Sequence, residues 1–219
     1  MSARISEYKE AVDHLPEGGT LVFRNVSWDD YEQLLNELAD RPGVRITYDG
    51  GKLEIMSPLP EHEKYKRFIE RVIDTLSDEL DINVEPVGSA TWKRKPQKGA
   101  EADTCYYVAN ADRIIGKRDI DLKIDPPPDL VVEVDSTNES LRKFSIYSVL
   151  RVPEIWRYDV KHGRFHMYEL QGTAYVEIPS SRSFPILTGE TIAAFIDQTK
   201  TQGQKAALAA FRQWLKKAR

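Results

Sequence analysis

Three carboxylates lie in the most apolar strands that the sequence predicts. Glu133 and Asp135 alternate in the run "PPPDLVVEVDS", and Asp103 lies thirty residues before Glu133, in "EADTCYYV". Side chains two residues apart in a strand emerge on the same face, so Glu133 and Asp135 are expected to project together. If the two strands are neighbours in a sheet, all three carboxylates converge.

A carboxylate among apolar residues is costly unless a cation or a hydrogen-bond donor compensates its charge. Oxygen-only ligands suit hard divalent cations such as Mg²⁺ or Mn²⁺ rather than zinc. The residue types therefore predict a divalent-cation site at Asp103, Glu133 and Asp135. The spacing fits a second interpretation equally well, in which one acid lies at an exposed strand edge or pairs with an arginine such as Arg157.

Hydrophobic periodicity predicts the elements that position these acids. A helix begins at the cap Ser27 in "SWDDYEQLLNELADRPG", and a hairpin turns at Asp49-Gly50-Gly51 in "VRITYDGGKLEIMSP". A long amphipathic helix follows in "PLPEHEKYKRFIERVIDTLSDELD". Strands are predicted in "INVEPVGSATWKRK", "EADTCYYVAN", "PEIWRYDV", "RFHMYEL", "AYVEIP" and "FPILT", with a helix in "SLRKFSIYSVLRV". The order predicts a mixed-sheet α/β or α+β fold.

Length and composition predict one domain, since 219 residues with 41% hydrophobic content can bury one substantial core. Within it we expect residues 1–44 to form an N-terminal helical extension, 45–190 the core and 191–219 a C-terminal helix. The net charge of −4 shows that the whole chain is not a polycation that coats nucleic acid, so any such site is local.

The single Cys105 excludes an intrachain disulfide framework and a cysteine-based zinc cluster, and it fits a reducing compartment. The charged start has no apolar stretch like that of a signal peptide, and no run approaches the length of a membrane span. A cytoplasmic protein without a membrane partner is therefore predicted.

Several blocks occur in an order that resembles a known family. The blocks are "LEIMSP", "EHE", "EADTCYYV", "PPPDLVVEVDS", "LRKFSIY" and "VPEIWRYD", between about Arg45 and Leu187. They resemble the Uma-two family, a large bacterial family of restriction endonuclease-like proteins in the PD-(D/E)xK nuclease superfamily. The resemblance implies a restriction-endonuclease-like core, with a mixed central sheet flanked by helices, a hairpin that carries the first acid and a strand that carries the second.

The resemblance also implies a metal-dependent endonuclease acting on DNA, with Asp103 and Glu133 as metal ligands. The superfamily's lysine, two places after the second acid, falls on Asp135, where this sequence departs from the pattern. Lys143 on the following helix is implied to stand in for it, orienting or deprotonating the attacking water. Asp135 is then either a further metal ligand or a hydrogen-bond acceptor that supports the ligands without contacting the metal.

Two further sets of residues have both a functional and an ordinary interpretation. Glu61 and His62 match the superfamily position from which an additional acid reaches the metal, although acids also suit the first turn of any helix. The basic run Lys93, Arg94, Lys95 and Lys98 precedes the Asp103 strand. In the family's topology it would contact phosphates beside the site, but a solvated hairpin tip explains it as well.

The absent superfamily lysine and the acidic net charge keep a second function open. The chain would then be a catalytically inactive nuclease-fold module that binds nucleic acid or a protein partner. A third function, hydrolysis of a smaller phosphoester, also fits the acids. The sequence has neither a G-x-S-x-G elbow nor a G-x-x-x-x-G-K-[ST] phosphate loop.

A homodimer is also predicted, because the late apolar strands "RFHMYEL" and "AYVEIP" provide sheet edges that need covering. Sedimentation equilibrium should give twice the chain mass of 25.1 kDa. A mass equal to one chain would reject the dimer.

Overall fold

The computed structural model describes residues 3–39, 41, 43–136 and 140–218. In chain order the elements are α1 (Ala3–Asp13), β1 (Thr20–Phe23), α2 (Trp28–Glu37), β2 (Arg45–Asp49), β3 (Lys52–Met56), α3 (Pro60–Leu80), β4 (Glu85–Gly88), β5 (Thr91–Arg94), β6 (Lys98–Glu101), β7 (Thr104–Tyr107), β8 (Leu130–Asp135), α4 (Ser140–Leu150), β9 (Glu154–Asp159), β10 (Arg164–Gln171), β11 (Ala174–Ile178) and α5 (Gly189–Ala218). None of the helices in these ranges is long and apolar enough to cross a membrane.

The chain forms two compact units. The first unit comprises Met1–Pro60 with Thr91–Glu101, and the second comprises Glu61–Ala90 with Ala102–Arg219. The boundaries predicted at residues 44/45 and 190/191 do not coincide with these units, and the single domain stays a prediction. Within the predicted ranges, residues 1–2, 40, 42, 137–139 and 219 lie outside the described residues.

The first unit contains a five-stranded antiparallel sheet in the order β1-β3-β2-β6-β5. The predicted cap of α2 is confirmed, because the Ser27 side chain accepts a hydrogen bond from the Asp30 N–H at 3.0 Å. The predicted hairpin is also confirmed. Gly50 and Gly51 turn it with φ of +53° and +97°, a region in which glycine is favoured.

The second unit contains a six-stranded mixed sheet in the order β11-β10-β9-β8-β7-β4. Strands β8 and β9 are parallel and are connected through α4, whereas the other pairs are antiparallel. The apolar stripe of α3 packs with Val132 and Val134 in one buried cluster. Since side chains alternate along β8, Glu133 projects from the opposite face, where it contacts α4. This confirms the predicted mixed sheet flanked by helices.

Three strand predictions need correction. The run "INVEPVGSATWKRK" contains two strands, β4 and β5, which belong to different sheets. The run "EADTCYYVAN" likewise contains the last residue of β6 and all of β7, so the β5–β6 hairpin ends before Asp103 instead of carrying it. Residues 184–188 of the predicted strand "FPILT" form turns and one isolated bridge. Pro185 has no N–H to donate to a ladder.

The carboxylate of Glu154 fixes the segment before α5 to the start of β9. This fully buried side chain accepts hydrogen bonds from the Trp156 indole at 2.7 Å and from the backbone N–H of Arg182 at 3.1 Å. The backbone N–H and the hydroxyl of Ser183 donate at 2.8 and 2.6 Å. Four donors therefore compensate the burial of one negative charge.

Glu154→Ala should lower the free energy of unfolding by about 3 kcal/mol or more, because it leaves buried donors without an acceptor. Urea unfolding measures the loss. The matched control is Glu169→Ala, on the residue opposite Glu154 in the neighbouring strand. Its ion pair with Arg182 lies at the surface, so we expect a loss below about 1 kcal/mol. Equal losses in the two variants would contradict the role given to Glu154.

Candidate active site

The pairing of β7 with β8 brings Asp103 beside Glu133. The ladder between these strands ends at the pair Thr104 and Val132. Beyond it, the backbone N–H of Val134 donates to Oδ2 of Asp103 at 2.8 Å, in place of a further backbone carbonyl. The two strands are thus neighbours, which was the condition for the two acids to converge.

The helix α4 engages Glu133 with two side chains. Nζ of Lys143 lies 2.9 Å from Oε2 and 3.2 Å from Oε1 of Glu133, and the Tyr147 hydroxyl donates to Oε1. Lys143 and Tyr147 are four residues apart and therefore share one face of the helix. Glu133 is 1% exposed, Lys143 6% and Tyr147 0%, so this contact is almost free of solvent.

The first turn of α3 supplies His62, whose Nε2 lies 3.0 Å from Oδ2 of Asp103. Both side chains are buried. Glu61, the other additional residue predicted at this position, is exposed and accepts a hydrogen bond from the Tyr65 hydroxyl at 2.9 Å. Of the two, the structure therefore brings His62 to Asp103 and gives Glu61 a partner within α3.

The two acids differ in their electrostatic surroundings. Burial, together with the charge of Asp103, raises the pKa of Glu133 to about 7, although Lys143 and Tyr147 oppose the rise. Burial would also raise the pKa of Asp103, but His62, Lys143 and the Val134 N–H hold it well below its usual range. Burial lowers the pKa of His62, but its contacts with the carboxylates of Asp103 and Glu63 outweigh the effect of burial and raise the pKa to about 9. Two acids and two cationic groups thus share one buried volume.

Asp135 lies on the same face of β8 as Glu133 but has a different partner. Nε and one terminal nitrogen of Arg157 both lie 3.0 Å from its Oδ2, and the same terminal nitrogen is 3.6 Å from Asp159. This is the arginine pair that the sequence left open for one of the acids. The role of Asp135 as a metal ligand stays a prediction.

Within the described ranges, no group of three or more His, Cys, Asp or Glu side chains is arranged to hold a metal ion. The donors that the structure does bring together are the carboxylates of Asp103 and Glu133. Both offer oxygen atoms from buried side chains, and this donor type fits Mg²⁺ or Mn²⁺. The role of Asp103 and Glu133 as metal ligands stays a prediction.

The predicted basic run lies in the first unit, where acidic residues contact three of its lysines. Lys93 and Lys95 lie 3.4 and 3.6 Å from the carboxylate of Glu32. Lys98 forms an ion pair with Asp49, and Arg94 is exposed. The contact of these four residues with nucleic acid stays a prediction.

Sequence reasoning missed Tyr147 as a residue of the site and left the partner of Asp135 open. The spacing of four residues between Lys143 and Tyr147 was a usable signal, since it places both side chains on one helical face. No comparable local signal connects Asp135 to Arg157, because that contact depends on the parallel pairing of β8 with β9.

Comparison with known proteins defines the class. The family model described as "Uma2: Putative restriction endonuclease" matches residues 28–197. The chain therefore belongs to this family, and family and fold together support a nuclease. A crystal structure titled as "a putative nuclease belonging to DUF820", from Anabaena variabilis ATCC 29413, has a similar fold, with a TM-score of 0.52. It is 16% identical in sequence, and the alignment covers 77% of this chain and 98% of that one. No curated protein matches the chain.

Asp135→Asn should leave the affinity for Mn²⁺ unchanged while lowering the free energy of unfolding by about 3 kcal/mol, because the buried Arg157 loses its nearest acid. Calorimetric titration with Mn²⁺ and thermal unfolding measure the two effects. In the same titration, Glu133→Gln should weaken binding by more than about 10-fold. If Asp135→Asn weakens binding as much as Glu133→Gln, Asp135 is a metal ligand.

Proposed function

We propose that the chain is a metal-dependent endonuclease that hydrolyses phosphodiester bonds in DNA. The observation that carries the proposal is the buried pair of Asp103 and Glu133 with the Lys143 ammonium against one carboxylate. Acids, a cation site and a nearby amine are the groups that phosphodiester hydrolysis requires. Membership in a restriction endonuclease family supports the same reaction.

Asp103 and Glu133 would hold Mg²⁺ or Mn²⁺, with the Val134 carbonyl as a further oxygen donor. When bound there, a divalent cation would supply positive charge against the scissile phosphate and acidity to a water molecule. His62 and the Val134 N–H fix the Asp103 carboxylate through contacts at 3.0 and 2.8 Å. The protein thus orients one of the two acids before any substrate arrives.

As an ammonium, Lys143 would orient the attacking water and balance the negative charge that develops on the phosphate, whereas as a neutral amine it would take the proton of that water. Its ammonium already lies at the carboxylate of Glu133, although its backbone belongs to α4 and not to β8. In the superfamily pattern, the lysine lies on the same strand as the second acid. In this chain, a lysine of helix α4 contacts that acid instead. Asp135 would support the site through Arg157.

A second function is favoured by one specific observation. Each of the three acids has a cationic partner within the protein: His62 for Asp103, Lys143 for Glu133 and Arg157 for Asp135. These pairs compensate the buried charges without a metal ion. A catalytically inactive module that binds nucleic acid or a protein partner is therefore the alternative.

Purified protein should nick plasmid or cleave single-stranded DNA with Mg²⁺ or Mn²⁺, and both activities should vanish in EDTA and in Asp103→Ala. Lys143→Met keeps the bulk of the stem and removes the charge, so cleavage should fall by about 10² or more with Mn²⁺ binding retained. Gel assays of initial rates measure both effects. Binding to DNA without cleavage, unaffected by EDTA, would support the inactive module instead.

Arg142→Met is the matched control, because Arg142 is exposed and its side chain points about 100° around the helix from Lys143. We expect its cleavage rate to equal that of the wild type. If Arg142→Met abolished cleavage and Lys143→Met did not, the role given to Lys143 would be wrong.

A further inference from the structure

Tyr147 and Lys143 contact Glu133 in different ways. The Tyr147 hydroxyl donates to Oε1 only, whereas Lys143 spans both oxygens and lies closer to Oε2, at 2.9 Å compared with 3.2 Å. A lysine ammonium carries a full positive charge and would repel a divalent cation at the same carboxylate. A phenol donates a hydrogen bond without that charge, so it can hold the carboxylate while a cation is bound.

We propose that Tyr147 is a positioning residue that fixes the Glu133 carboxylate, through Oε1, in an orientation in which it can bind a divalent cation. The inference rests on the proposed function, since it presupposes that Glu133 is a metal ligand. A glutamate has three side-chain torsions, and fixing one oxygen restricts all of them. Because the hydroxyl is fully buried, breaking its bond to Glu133 would leave it without a solvent partner.

The helix α4, which carries Tyr147, has contacts with the sheet that do not involve Glu133. The Phe144 ring of α4 lies 4.9 Å from the Tyr168 ring and 5.3 Å from the Tyr175 ring, measured between centroids. One turn further along α4, the Ser148 hydroxyl donates to the Thr173 carbonyl at 2.5 Å. The helix is thereby attached to β10, to β11 and to the turn between them, so the backbone that carries Tyr147 does not depend on Glu133 for its place.

Tyr147→Phe removes the hydroxyl and keeps the ring, so the fold should be retained in far-ultraviolet circular dichroism. Calorimetric titration with Mn²⁺ should show an affinity weaker by about 10-fold or more, the usual effect of losing a hydrogen bond to a metal ligand. In the Glu133→Gln background, the same substitution should cause no further loss, because the ligand that Tyr147 positions is already removed.

Tyr175→Phe is the matched control. The Tyr175 hydroxyl donates to the Val152 carbonyl at 2.7 Å, and its ring contacts the same helix through Phe144. This variant loses a hydrogen bond of the same kind, but at a place away from Glu133. We expect its Mn²⁺ affinity to equal that of the wild type.

The outcomes separate the inference from the proposed function. If Glu133→Gln loses Mn²⁺ binding while Tyr147→Phe binds like the wild type, the positioning role is wrong and the cation site stands. If wild type and Glu133→Gln bind Mn²⁺ equally, the cation site is wrong and the positioning role with it. If Tyr147→Phe fails to fold, tyrosine ultraviolet difference spectra of the wild type with Mg²⁺ decide instead. A perturbation that Glu133→Gln lacks supports the role, and its absence overturns it.

Discussion

The burial of the Glu133 carboxylate in the central sheet is the constraint on which the site depends. An uncompensated charge there would be very unfavourable, and the structure places an ammonium and a phenol against it from α4. The connection from β8 through α4 to β9 therefore does more than complete a parallel strand pair. It positions both donors opposite an acid that the strand alone could not stabilise.

The other two acids are also compensated by cationic side chains from neighbouring elements. Asp103 is compensated by His62 from α3, and Asp135 by Arg157 from β9. Each acid thus depends on a different element of the second unit. Removing one partner of a buried ion pair leaves an uncompensated charge, so the loss of any of these cationic side chains would be strongly destabilising. They also mean that a cation at Asp103 and Glu133 would compete with charges already in place.

Local patterns in the sequence were sufficient for the elements whose burial is periodic. The stripe of α3, the Gly50-Gly51 turn and the apolar run of β8 each carry their structure in consecutive residues. The distribution of strands between two sheets could not be predicted, since it depends on pairing between distant segments. The segment 184–188 has the composition of a strand, but Glu154, about thirty residues earlier, binds the backbone just before it. Similarly, the acids could be identified by residue type, whereas the contact of Tyr147 with Glu133 depends on how α4 packs on β8.

The first unit is assembled from two separate stretches of chain, so a single cut in the sequence cannot separate it from the second unit. Strand β6 from the second stretch pairs with β2 from the first, so the β5–β6 hairpin completes a sheet begun at the N-terminus. A fragment lacking residues 1–60 would retain that hairpin without its neighbour, and an isolated hairpin is at best marginally stable in water. The unpaired edge of β6 would then be available for pairing with other chains. A truncation designed to isolate the second unit would therefore be prone to aggregation unless it also removed residues 91–101 and rejoined the strands on either side.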